Sequence, residues 1–144
     1  MKEIRTEIII DAPRQQVWNT LMDRENYGNW NPLIIESEGE AVLGNKIKNV
    51  LKVGEKPQTF RPVVTDLQEG TRFEWLGKLP LGIFTGRHYF ELEESGVGQT
   101  KLIHGEHFGG WLRGMIMNKI GEATRNGFIA MNRALKAEAE KRNA

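Results

Sequence analysis

Between Leu33 and Phe108 the sequence offers six β-rich runs in succession, and beyond them positions Met117, Ile120, Thr124, Phe128, Met131 and Leu135 recur at three-four spacing. That order, strands together and one long helix last, constrains the fold more than any other feature. The runs are Leu33–Glu38, Lys46–Val53, Thr59–Leu67, Thr71–Leu79, Phe84–Glu93 and Thr100–Phe108. Glu69-Gly70, Gly54-Glu55-Lys56-Pro57 and Ser95-Gly96-Val97-Gly98 separate some of them with turn chemistry, so neighbouring runs are expected to pair antiparallel.

A further strand is expected at the start, where Ile4, Thr6, Ile8 and Ile10 alternate with Arg5, Glu7 and Ile9. Asp11-Ala12-Pro13 then suits a helix start, and Val17, Trp18, Leu21 and Met22 recur at helical spacing to about Asp23. Asn26–Pro32 is dense in turn formers and reads as a loop or a broken second helix. The tail, Ala137-Glu138-Ala139-Glu140-Lys141-Arg142, favours helix strongly.

The sum is an α+β domain spanning residues 1–144, with a curved seven-stranded antiparallel sheet wrapped around a long C-terminal helix and short helices after the first strand. At 144 residues one core suffices, and neither repeats nor linker-like segments divide it. A twisted sheet of that width curls, and one helix about 10 Å wide leaves part of its concave face uncovered. A cavity between sheet and helix is the geometric expectation.

Strand parity nominates its lining: Trp75, Phe84, His88, Phe90, His104, Glu106 and Phe108 from the sheet, Met117 and Phe128 from the helix. A mostly apolar surface with a few directional polar groups suits a small hydrophobic or aromatic ligand. His88, His104 and Glu106 share parity on adjacent strands and are the candidate polar site. A histidine beside a carboxylate can orient a ligand or move a proton, so His88, His104 and Glu106 are also the candidate catalytic groups. His107 should point away from them, which argues against a metal centre in His104-Gly105-Glu106-His107.

Other classes of function are disfavoured. Twenty basic and nineteen acidic side chains leave a net charge of +1, which gives no electrostatic basis for nucleic-acid binding. There is no cysteine for a thiolate nucleophile, a disulfide or a cysteine zinc site. No phosphate loop, dinucleotide fingerprint or nucleophile elbow occurs, and no cofactor is expected. No apolar run reaches the ~20 residues that span a bilayer, and the N-terminus lacks a signal-peptide core, so a cytoplasmic protein without integral membrane association is expected. Trp111, Leu112, Met115 and Ile116 at the front of the last helix suit a cavity mouth or a dimer contact, and either a monomer or a homodimer is expected.

Ile8-Ile9-Ile10-Asp11-Ala12-Pro13, then Val17-Trp18 and Tyr27-x-x-Trp30-Asn31-Pro32, resemble the polyketide cyclase/dehydrase and lipid-transport family of the START-like, birch-pollen-allergen superfamily. Phe73-Glu74-Trp75, His88-x-Phe90-x-Leu92, Thr100-x-Leu102 and Glu106-x-Phe108-x-Gly110 extend the resemblance over essentially the whole chain. It implies a helix-grip fold with a ligand cavity between sheet and C-terminal helix. It leaves open a binder, a cyclase- or dehydratase-type enzyme, and a protein-interaction module like the activators of a heat-shock ATPase.

Overall fold

A computed structural model describes residues 2–144. Strand β1 (Glu3–Ile10) buries Ile4, Thr6 and Ile10 on one face, as the period-two pattern requires. Helix α1 (Arg14–Met22) turns Val17, Trp18 and Leu21 inward, and a 3-10 turn (Arg24–Asn29) follows. The turn is held by polar contacts. The Tyr27 hydroxyl donates to the Leu21 carbonyl at 2.5 Å, and Arg24 donates to Ser37 Oγ at 2.8 Å and to the Gly39 carbonyl at 2.7 Å. Trp30 packs edge-on to Tyr27 and against the core, anchoring the loop.

The remaining strands are β2 (Ile34–Glu38), β3 (Lys48–Leu51), β4 (Gln58–Phe60), β5 (Val63–Gln68), β6 (Arg72–Lys78), β7 (Thr85–Glu94) and β8 (Thr100–Gly109), and α2 (Arg113–Asn143) closes the chain. They form two antiparallel sheets, β1-β8-β7-β6-β5 and β2-β3-β4. Among the described residues, the expected single sheet of seven strands is thus corrected to eight strands divided five and three. The extra strand arises at Arg61-Pro62, inside the run read as Thr59–Leu67. Proline has no N–H to give a ladder and its φ is fixed, so pairing breaks there. Phe60 pairs back to Asn49 in the small sheet, whereas Val63 pairs forward to Leu76 in the large one. A bridge between Lys46 and Val63, and a bond from the Ile47 amide to the Pro62 carbonyl, tie the sheets together.

Helix α2 lays Met117, Thr124, Phe128, Met131, Asn132, Leu135 and Ala139 into the core. Gly127 gains a purpose from this packing: a Cβ there would lie 2.9 Å from Leu33 Cδ1, so glycine lets Leu33 press against the helix backbone. The apolar Leu79–Phe84 turn is not buried under the helix. Leu81 is 90% exposed, and Trp111 and Met115 beside the start of α2 are exposed as well.

The step from β8 into α2 depends on Gly110, which sits at φ +99° with its α-carbon against the Ile83 carbonyl. A Cβ there would lie 2.4 Å from that oxygen. Gly110→Ala is therefore expected to cost about 1–3 kcal/mol in urea unfolding. A loss below measurement error would mean that the junction relaxes freely.

Candidate functional site

Cross-strand register, set by the hairpins, brings the chemistry together. Ile4, Glu106, His88, Trp75 and Val64 form one row across the large sheet, and Thr6, His104, Phe90 and Phe73 form the next. Side chains of both rows stand on the concave face, against α2. His88 and His104 meet diagonally with their Nε2 atoms 2.7 Å apart. On its other side, His88 Nδ1 faces Glu106 Oε1 across 3.3 Å.

Glycine makes the room for this carboxylate. A Cβ on Gly86 would lie 2.0 Å from Glu106 Oε2, so the Glu106 head occupies space that any other residue at 86 would fill. Gly86 also pairs with Gly77 in β6, leaving a local gap in the wall of side chains.

Above that gap lies a pocket of about 150 Å³ where the large sheet, the small sheet and the first half of α2 converge. Trp75, Phe84, His88, Glu106 and Phe108 line it, joined by Leu51, Val53, Gln58 and Phe60 of the small-sheet side and by Ile120 and Thr124 of the helix. Phe84 and Phe108 stack at 5.7 Å, and the Trp75 indole stacks on the His88 ring at 4.6 Å. The polar groups His88 and Glu106 sit on an otherwise largely apolar surface, with Gln58, Thr124 and Lys78 also on the lining.

Four anticipated liners, Phe90, His104, Met117 and Phe128, do not reach the pocket. All four are buried behind it, where α2 lies close enough to the sheet to exclude a gap. His104 is clamped between the Phe128 ring, parallel to it at 4.2 Å, and the Phe90 ring at 4.4 Å. The residues that parity could not supply came from the small sheet and from Lys78 and Leu79 at the rim. The signal for the small-sheet group, scattered apolar residues between Leu51 and Phe60, gives no direction without the second sheet.

His104 is fully buried, and this burial, reinforced by neighbouring His88, holds its pKa well below the usual imidazole range, with Asn132 opposing the shift. It is therefore neutral. His104 Nδ1 bonds Asn132 Oδ1 at 2.8 Å, the Asn132 amide donates to Thr6 Oγ1 at 2.8 Å, and the Thr6 hydroxyl donates to the His104 carbonyl at 2.7 Å. The sequence pattern puts Thr6 on the inward face of the first strand without giving it a role, and does not single out Asn132. The available signal was an asparagine on the buried stripe of α2, four residues past Phe128 and three before Leu135.

His107 lies on the opposite face, half-exposed, with Nε2 at 3.3 Å from Glu3 Oε2. On that outer face Arg72 and Arg87 hold Glu74, whose buried carboxylate would otherwise rise in pKa. Hydrogen bonds from Arg87, Thr65 and Arg72 outweigh burial and keep it below the ordinary range. This cluster ties β5, β6 and β7 together and is remote from the pocket. Among the described residues no helix is long and apolar enough to cross a membrane.

Comparison with solved structures places this arrangement among known folds. The aromatase/cyclase ZhuI from Streptomyces sp. R1128 superposes with a TM-score of 0.78 at 17% identity, covering 98% of this chain and 94% of that one. A START superfamily protein from Mycobacterium smegmatis gives 0.77 at 16% identity, covering 98% and 99%. A norcoclaurine synthase point mutant from Thalictrum flavum gives 0.77 at 11%, covering 99% and 96%. At these identities the likeness is one of fold, a helix-grip architecture. No curated protein matches the chain in sequence. The family profile described as polyketide cyclase / dehydrase and lipid transport, by contrast, matches residues 1–140, and the chain belongs to that family.

Proposed function

We propose that this chain binds a small, flat hydrophobic molecule in the pocket between the two sheets and α2. Trp75, Phe84 and Phe108 supply the apolar walls, and His88 with Glu106 orients the ligand's polar end. The observation that carries this reading is the pairing of a mostly apolar concavity with one convergent pair of polar side chains. Release of apolar surface from water drives binding, at roughly 25 cal/mol per Å² buried. The neighbours named as an aromatase/cyclase and as a norcoclaurine synthase in complex with a transition-state analogue support a small-molecule ligand for this fold. A wider depression beside Arg24, Glu36, Glu38 and Glu40 is more open and carries more charged side chains, and suits such a ligand less.

Native mass spectrometry followed by organic extraction, with thermal shifts from a hydrophobic panel, tests the reading. A co-purifying lipid, quinone or polyketide-like molecule supports it. A clean mass with no thermal shift from any member of the panel sinks it. A blocking variant locates the site. Thr124 faces the pocket from α2, and Thr124→Trp is expected to weaken a panel ligand more than 10-fold while the fold persists. Undiminished affinity would place the ligand elsewhere.

The same groups favour one further reading, a cyclase- or dehydratase-type activity. His88 and Glu106 stand where a proton can be exchanged with a ligand carbonyl or enol. His88→Gln would then preserve binding and abolish turnover, and equal losses of both would reject it.

A further inference from the structure

The hydrogen bonds behind the pocket run in one direction only, and that direction reaches the pocket wall. Thr6 has a single hydroxyl proton, and it is spent on the His104 carbonyl at 2.7 Å. Thr6 Oγ1 must therefore accept from Asn132, which turns the amide nitrogen toward Thr6 and the amide oxygen toward His104. Asn132 Oδ1 can only accept, so His104 carries its proton on Nδ1 and presents a bare Nε2 lone pair. That lone pair lies 2.7 Å from His88 Nε2, so His88 must be the donor between the two rings.

His88 is then committed at Nε2, and its Nδ1 faces Glu106 Oε1 at 3.3 Å. That contact is within ion-pair distance but lacks the alignment of a hydrogen bond, so it does not use up the acceptors of Glu106. Glu106 Oε2, in the room left by Gly86, is an acceptor on the pocket wall.

We propose that Thr6, Asn132 and His104 are positioning residues whose one-way relay fixes the His88 proton on Nε2 and leaves Glu106 to offer the pocket an acceptor. The ligand end they recognise is an O–H or N–H donor, in preference to a bare methyl. The ligand half of this assignment rests on the pocket being the binding site, whereas the relay does not.

The relay is read first, in ligand-free protein uniformly labelled with ¹⁵N. Long-range proton–nitrogen correlation spectra distinguish protonated from bare ring nitrogens, and His88→Gln, His104→Gln and His107→Gln assign the rings. His104 is expected to show a protonated Nδ1 and a bare Nε2, and His88 a protonated Nε2. Thr6→Val, nearly isosteric, removes the group that orients Asn132 and is expected to mix the two His104 tautomers, and Thr6→Ser is expected to restore the single one. A proton on His104 Nε2 in the wild type, or an unchanged His104 spectrum in Thr6→Val, overturns the relay.

The ligand arm compares 2-naphthol with 2-methylnaphthalene by calorimetry or fluorescence. At least 10-fold tighter binding of the naphthol is expected. Equal binding overturns the acceptor assignment and leaves the pocket standing. Binding of neither probe overturns the acceptor assignment together with the pocket reading, while the relay is decided by the spectra alone.

Discussion

Phe128→Ala is expected to remove about 3–5 kcal/mol of stability, the largest loss among single aromatic truncations at this face of α2. Phe128 is 1% exposed and its ring lies parallel to His104 at 4.2 Å and 4.9 Å from His88. Truncation opens a cavity between helix and sheet and also loosens the two histidines, which lose the surface that keeps them flat. Phe84→Ala provides the contrast. Its ring is only partly buried and borders the pocket, so the cost there is about 1–2 kcal/mol, as for a side chain giving up part of its apolar contact. Urea unfolding of both variants decides the matter. Equal losses would show that Phe128 is as loosely held as the pocket wall, which the packing contradicts.

The second large effect is acid destabilisation through His104. In the unfolded chain this imidazole titrates near pH 6.5, whereas burial keeps it unprotonated in the fold to well below that. Below about pH 6.5 the unfolded state therefore binds more protons than the native state, and stability falls as pH falls, by up to about 1.4 kcal/mol per unit. The loss continues until the depressed native pKa is reached. Glu74 acts in a lower window. Its carboxyl is held below the ordinary glutamate value of 4.5, so its contribution is present above that pH and is lost as pH falls further. Unfolding free energies between pH 7 and pH 5 should consequently slope upward with pH in the wild type. In His104→Gln they should slope less, by about one proton's worth. Parallel lines would mean that His104 titrates alike in both states.

How much of this was legible in the chain depends on the range over which the relevant physics acts. The alternation in Phe84–Glu93 and Thr100–Phe108, with a glycine-rich turn between them, is local, and it sufficed to set His88, His104 and Glu106 on one face of two neighbouring strands. The register that puts His88 directly opposite Glu106 follows from the hairpin. The break at Pro62 was also local, yet a single proline inside a β-rich run is compatible with an edge strand as well as with a strand change. Which of these occurs depends on where Phe60 and Val63 find partners, and those partners lie before and after them in sequence.

Depth was not legible. Phe90, Met117 and Phe128 have the same apolar character as Trp75, Phe84 and Phe108, and nothing within either set says which will face a gap. The distance between α2 and the sheet decides it, and that distance is set by contacts such as Leu33 on Gly127, made by residues far apart in the chain. Thr6 and Asn132 were hidden for a related reason. Each is an unremarkable polar residue in its own element, and its role exists only because β1, β8 and α2 bring them to the same carbonyl and imidazole.

Periodicity and turn chemistry are properties of adjacent residues, so the order of elements, the inward faces of β1, β6, β7 and β8, the long amphipathic helix and the histidine–carboxylate pair were legible in the chain. The division of the strands into two sheets, the filling of most of the expected cavity and the end of it left open beside Glu106 arise from tertiary packing. Those outcomes depend on how side chains from distant segments share a fixed volume at close-packed density, a sum that no single segment contains.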